Sequence, residues 1–129
     1  MVMEKTLREG LPELSLTLSD EAQKTLCDFG RAVVEQNKVM NLTAITEPEQ
    51  VAKLHLLDSL TVLAVQPLSG KKVIDVGCGA GFPGVPLKIA CPKMQLTLLD
   101  SLGKRMNWLQ EVLPTLGASN GHTCHLRQG

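Results

Sequence analysis

Val73-Ile74-Asp75-Val76-Gly77-Cys78-Gly79-Ala80-Gly81-Phe82-Pro83-Gly84 decides how this chain is read. A short apolar run rich in β-branched residues carries an acid near its end. Glycines follow at 77, 79 and 81, and the residues around Pro83 suit a helix start. A strand, a tight glycine turn and a helix N-terminus together cradle a nucleotide. Glycine permits the sharp turn and the close approach of a ligand, while the first turn of a helix has unpaired N–H groups. The plain alternative is a tight turn with no ligand.

Two cofactors compete for this loop. Gly79-x-Gly81-x-x-Gly84 fits the dinucleotide fingerprint G-x-G-x-x-G. Asp75-x-Gly77-x-Gly79-x-Gly81 fits the D-x-G-x-G-x-G pattern of S-adenosylmethionine (SAM) binding and uses one residue more, the acid. A carboxylate beside the loop suits a ligand bearing an amino group and a sulfonium, and it repels a pyrophosphate. Gln95-Leu96-Thr97-Leu98-Leu99-Asp100 then reads as a buried strand tipped by a second acid, 21 residues after Gly79. An acid so placed accepts hydrogen bonds from ribose hydroxyls. Asp100 therefore supports a nucleoside without separating the two cofactors, and a solvated loop acid is the alternative.

Working outward, the pattern from Lys71 onward is strand (Lys72–Val76), helix (about Pro83 to Ala90), strand (Gln95–Asp100) and helix (Leu102, Met106, Leu109 and Leu113, closed by Gly117). A third strand is expected over His122–Leu126. Alternating β and α units predict a parallel sheet with helices on both faces. Three strands and two helices make only half of a doubly wound sheet, and the third strand is expected as a bare edge. The expectation is a truncated N-terminal piece of a longer protein, or a protein that has lost its second half.

Ahead of the sheet the reading is helical. Residues 1–18 suggest a short helix and an extended lead-in. Ser19 suits an N-cap, with Asp20 and Glu21 in the first turn. Ala22, Leu26, Phe29 and Val33 form the apolar stripe of a helix running out near Lys38. Thr46-x-x-Glu49 reads as a capping box with Pro48 in the first turn, and Val51, Leu54, Leu57, Leu60 and Leu63 as the stripe behind it. His55, Asp58 and Ser59 share one face of that helix at i, i+3 and i+4, either as part of a site or as a surface hydrogen-bond cluster. The expected division is a helical subdomain over 1–68 and the first half of a nucleotide-binding domain over 69–129.

Bulk properties exclude several classes. The chain has 129 residues, 13 Lys/Arg against 13 Asp/Glu, and only Phe29, Phe82 and Trp108 as aromatics, too few for a base-stacking platform. The neutral total hides an asymmetry. Residues 1–66 hold 6 basic and 10 acidic side chains, residues 67–129 hold 7 and 3. Lys71, Lys72, Lys88, Lys93, Lys104, Arg105 and Arg127 either attract a polyanion or form a solvated surface. Four scattered cysteines, with no C-x-x-C, fit a reducing cytoplasm. No apolar run is long enough to span a bilayer. His122-x-Cys124-His125 does not have the spacing of a zinc site, and no metal is expected.

Asn41-Leu42-Thr43-Ala44-Ile45, His55-Leu56-Leu57-Asp58-Ser59, Ile74–Leu87 and Leu99-Asp100-Ser101-Leu102-Gly103-Lys104-Arg105 occur in the order of one family. Over residues 19 to 117 the chain resembles the bacterial small-subunit ribosomal RNA guanine-N7 methyltransferases, the glucose-inhibited division protein B family. The resemblance implies a class I Rossmann-like SAM methyltransferase with an N-terminal helical extension, acting on N7 of one guanosine of 16S rRNA in the small ribosomal subunit. It also implies that Gly77 and Phe82 contact SAM, with Asp75, Gly79 and Gly81 in the same loop and Asp100 near the ribose. His55, Asp58 and Ser59 match a motif on the cofactor side, and Lys104 and Arg105 match the family's basic pair, either as RNA contacts or as a solvated helix start. Members of the family are longer, so turnover by this polypeptide is an open expectation.

Guanine N7 has a free lone pair and no proton to lose, so no general base and no catalytic residue in the strict sense are expected; alignment and water exclusion suffice. Two other readings stand beside this one. The first is an NAD(P)-dependent oxidoreductase resting on Gly79-x-Gly81-x-x-Gly84. The second is a non-enzymatic remnant or partner-binding fragment that self-associates through its incomplete sheet.

Overall fold

A computed structural model describes residues 2–116, and the backbone of 124–128. α1 (Val2–Gly10) buries Met3 and Leu7 and leads into a 3-10 turn (Pro12–Leu14). α2 (Asp20–Met40) starts as its sequence requires: Ser19 Oγ accepts the Ala22 N–H at 3.0 Å. Leu26, Phe29 and Val33 of the expected stripe are buried, with Ala22 at its half-buried end. The helix closes on Asn41 in the left-handed conformation (φ 48°), which Asn tolerates better than most residues.

The next helical stretch departs from its sequence reading twice. α3 (Pro48–Val51) begins with Glu47 as N-cap and no side-chain cap, so the Thr46/Glu49 capping box does not form. Proline prefers the first helical position and forces its predecessor into an extended conformation, and Glu47 adopts φ −72°, ψ 128°. The start is thereby set one residue too late for the box. A π-helical segment (Ala52–Leu57) follows before α4 (Asp58–Val65). Its wider turn slips the buried face by one residue. Val51, Leu56 and Leu60 are fully buried, at spacings of five and four, while Leu54 of the expected stripe is 52 % exposed.

β1 (Lys72–Val76), β2 (Gln95–Asp100) and β3 (Cys124–Gln128) form a parallel sheet in the order β1-β2-β3. α5 (Gly84–Ala90) and α6 (Gly103–Thr115) make the crossovers. The third strand lies two residues later than expected, and the sequence reading's Gly117 and His122 lie outside the described residues. Val73 pairs with Leu96 and Asp75 with Leu98, so these four share a face. That face is the covered one: Leu96 and Leu98 are fully buried, whereas Ile74 and Val76 on the other face are 57 % and 70 % exposed. Among the described residues helices cover one face, not both, and β1 is a free edge as well as β3.

The core is continuous from α1 to α6. The three aromatics expected to be too few for a platform meet inside it. Phe29 lies 5.4 Å from Phe82 and 6.2 Å from Trp108, centroid to centroid, joining α2, the glycine loop and α6. Lys88 leaves the list of surface cations. It is 1 % exposed, and its ammonium donates to the carbonyls of Pro92 (2.8 Å) and Met94, fastening α5 to the turn before β2. A buried ammonium needs such partners, so Lys88 is spent on structure and does not face a polyanion. Lys71, Lys72, Lys93 and Lys104 are exposed.

Candidate functional site

The glycine loop is stitched to the end of β2: the N–H groups of Gly77 (2.7 Å) and Cys78 (3.1 Å) both donate to the Leu99 carbonyl. Gly77, Gly79 and Gly81 all have positive φ (70°, 57° and 103°), so each position favours glycine on backbone grounds. They differ in what lies in front of them. A side chain at Gly77 would meet nothing within 4 Å, and at Gly79 only the Arg105 guanidinium at 3.6 Å. At Gly81 it would strike Val85, Leu109 and Phe29, and at Gly84 the side chains of Leu98 and Asp75. The first two glycines border open space that a ligand can enter, and the latter two permit close packing.

Asp75 is half-buried, and its Oδ2 accepts the Gly84 N–H at 3.0 Å. Burial pushes its carboxyl above the ordinary range, the Gly84 bond pulls it partly back, and the charge of Asp100 adds to the rise. Asp100, 7 % exposed at the tip of β2, accepts the Ser101 N–H on Oδ1 (2.8 Å) and Arg105 on Oδ2 (3.1 Å). A carboxylate has about four acceptor sites, so ribose hydroxyls can still be received. The basic pair divides: Lys104 is exposed, while the Arg105 guanidinium pairs with Asp100 at 3.1 Å beside the Gly79 position. Cys78 is buried, and burial first of all pushes its thiol up to about 12, so it stays protonated and is no nucleophile.

His55, Asp58 and Ser59 come together with the loop. The His55 ring stacks flat on Phe82, 4.4 Å between centroids and 7° between planes. Ser59 is buried and its hydroxyl donates back to the His55 carbonyl, so it serves the helix. Asp58 is exposed. Sequence reasoning gave no role to Thr43, whose Oγ1 lies 2.9 Å from His55 Nε2 and also accepts the Ile45 N–H at 3.1 Å. Asn37 Oδ1 in turn accepts the Thr43 N–H at 2.8 Å. No periodicity links a loop threonine to a histidine 12 residues on; only the tertiary fold does.

Burial lowers the His55 pKa, partly opposed by the charge of Asp58. The neutral ring is therefore favoured on folding. The resulting stability is fully present above the unfolded-state value of about 6.5 and is lost as pH falls through it toward the lower folded value. Denaturant midpoints of wild type and His55→Gln should converge as pH drops from about 7.5 to about 5.5. A constant difference across that range would remove His55 from the acid response.

Among the described residues no group of His, Cys, Asp and Glu has the arrangement to hold a metal ion, and the side chains of the His122/Cys124/His125 stretch lie outside them. No helix there is long and apolar enough to cross a membrane.

A parallel strand–glycine turn–helix unit with acids at the tips of two adjacent strands defines the Rossmann-like α/β class to which SAM methyltransferases belong. The family model of GidB, rRNA small subunit methyltransferase G, matches residues 22–128. The chain belongs to that family. It is 46 % identical over 122 residues to the ribosomal RNA small subunit methyltransferase G of Alkaliphilus metalliredigens, covering 94 % of this chain and 51 % of the relative. The protein of the same name from Alteromonas mediterranea is 46 % identical over 114 residues (88 % and 53 %), and that of Alkaliphilus oremlandii 47 % over 113 residues (87 % and 47 %). The chain spans about half the length of the curated relatives it matches.

Proposed function

We propose that this chain is the cofactor-loop half of a cytoplasmic enzyme that methylates N7 of a guanosine in 16S ribosomal RNA, with SAM as methyl donor. One observation carries the choice of cofactor. The carboxylate of Asp75 takes the Gly84 N–H at the start of α5. A pyrophosphate placed there would lose that donor and face a negative charge, whereas a sulfonium carrying an ammonium group gains a counterion. The open space before Gly77 and Gly79 fits a ligand lying against bare backbone, and Asp100 fits its ribose.

SAM, when bound, supplies an electrophilic methyl group and leaves as S-adenosylhomocysteine. Because guanine N7 has a free lone pair and no proton to lose, no residue of this chain would be needed as a general base for that transfer. What this chain's residues contribute is binding and alignment: Asp75 beside the cationic end, Asp100 held by Arg105 at the ribose, and Phe82 and His55 as a dry wall on one side. Binding of RNA phosphates falls to exposed cations such as Lys104 and weakens with salt.

Calorimetry with S-adenosylhomocysteine, and NAD as control, tests the cofactor. Micromolar binding of the first and none of the second is expected; the reverse sinks the reading. A second reading, a non-enzymatic fragment that self-associates through its sheet, is favoured by the exposure of Ile74 and Val76 beside the free β1 edge. It predicts a dimer by light scattering and no response to the cofactor.

A further inference from the structure

Thr43 lies in the connection between α2 and α3, and three hydrogen bonds meet on it. Its N–H donates to Asn37 Oδ1 at 2.8 Å, and its Oγ1 accepts the Ile45 N–H at 3.1 Å. The same Oγ1 lies 2.9 Å from His55 Nε2, and the two share a hydrogen bond whichever of them supplies the proton. A histidine ring has a broad, two-fold outer torsion, so the chain alone does not fix its plane. Here the plane is fixed: it lies within 7° of the Phe82 ring, with 4.4 Å between centroids. Ring pairs also adopt tilted and edge-on arrangements, as Phe82 does with Phe29 at 58°. The near-parallel stack calls for a further restraint on the imidazole, and the Thr43 hydroxyl is that restraint.

Phe82 passes the restraint to the glycine loop. Its N–H and that of Gly81 both donate to the Cys78 carbonyl, at 3.2 and 2.8 Å, so the ring hangs from the closing residue of the glycine turn. The other end of that turn is Gly77–Gly79, where the backbone borders open space. A rotation of Phe82 therefore moves the ligand-facing backbone through a single turn of chain. His55 and Phe82 both border an open depression of about 320 Å³. Without the imidazole, that side of Phe82 would meet water and the ring would lose its outer stop. The π-helical segment is a separate sign. Such segments are rare and frequent at functional sites, and this one (Ala52–Leu57) contains His55. We propose that Thr43 and His55 are positioning residues for the nucleotide loop. Thr43 sets the plane of the imidazole, the imidazole holds Phe82, and Phe82 holds the turn that presents Gly77 and Gly79 to the ligand. The proposal rests on the reading of the loop as the methyl-donor cradle. It adds a control on that cradle from the helical half: whatever displaces the connection carrying Thr43 loosens the loop.

The test uses the 129-residue chain, isotope-labelled, with S-adenosylhomocysteine as probe. Thr43→Val keeps the branched shape and loses the hydroxyl, whereas Thr43→Ser keeps the hydroxyl. In the free protein Thr43→Val is expected to shift the Phe82 ring and Gly79 amide resonances, and Thr43→Ser to leave them near their wild-type positions. Affinity should fall about tenfold in Thr43→Val, as for a loop that is binding-competent about a tenth of the time, and stay within about twofold in Thr43→Ser. His55→Leu should move the Gly79 amide likewise, and it reads the same link if Thr43→Val does not fold. In the double variant the Thr43 change should add nothing to the His55 loss, because the link is already broken at the ring. An unmoved Gly79 amide in the folded variants overturns the proposal. Equal losses in Thr43→Val and Thr43→Ser overturn it too, since packing would then be the cause, and so do additive losses in the double variant. A wild-type chain silent to S-adenosylhomocysteine sinks the methyl-donor reading instead, and the Gly79 amide of the free variants still decides the positioning.

Discussion

Replacing Gly81 by alanine is expected to lower the unfolding free energy by about 3 kcal/mol, against about 1 kcal/mol for the same change at Gly77. Both glycines have positive φ, 103° and 70°, so both changes carry backbone strain. Only at Gly81 is there nowhere for the methyl group to go. It would sit 2.9 Å from Val85 Cγ2, 3.1 Å from Leu109 Cδ2 and 3.2 Å from the tip of Phe29. Phe29 cannot retreat freely, because its ring is fixed between Phe82 and Trp108. Relief of the clash would therefore displace the aromatic cluster that joins α2 and α6 to the loop. At Gly77 the methyl group enters open space, so stability is nearly kept, but the ligand's approach to the backbone is obstructed. Urea denaturation separates the two, and equal losses at both positions would refute the division of the loop into a packed half and an open half.

Asp100→Ala is expected to weaken S-adenosylhomocysteine binding by about 100-fold while lowering stability by only about 1–2 kcal/mol. The affinity loss follows from two hydroxyl bonds to a charged acceptor, each worth about 1.5 kcal/mol. The stability loss is smaller because Arg105, a third exposed, can turn to water once its partner is gone. Arg105→Ala provides the contrast. It removes the ion pair and leaves the acceptors, so affinity should fall about tenfold or less. Calorimetry on the two variants decides the matter: if Asp100→Ala binds as well as Arg105→Ala, the acid at the tip of β2 does not hold the ribose.

Much of the candidate site's local geometry is legible in the sequence. The alternate glycines, the acids at 75 and 100 and the helix following Pro83 are local features, and local backbone preference determines them. The helical face bearing His55, Asp58 and Ser59 was legible as a spacing, but not its division of labour. Ser59 turns its hydroxyl to its own backbone, His55 stacks on Phe82, and Asp58 alone is left unengaged. The capping box failed because Pro48 imposes its own helix start, a rule that was legible in the sequence and outweighs the box. The stripe containing Leu54 failed because a π-turn breaks the 3.6-residue period on which such reading depends.

The amino-acid sequence by itself determined the order of the strands and their crossover helices, the glycine loop and the family, since each rests on residues adjacent in the chain or on motifs in series. Tertiary structure alone decided where the charges act. It buried Lys88 under two carbonyls and turned Arg105 onto Asp100 while its neighbour Lys104 stayed in water. It also fixed His55 between Thr43 and Phe82. The physical reason is the same each time. The solvation of a polar side chain and the partners that replace its water are set by segments distant in sequence, and no local pattern encodes that distance.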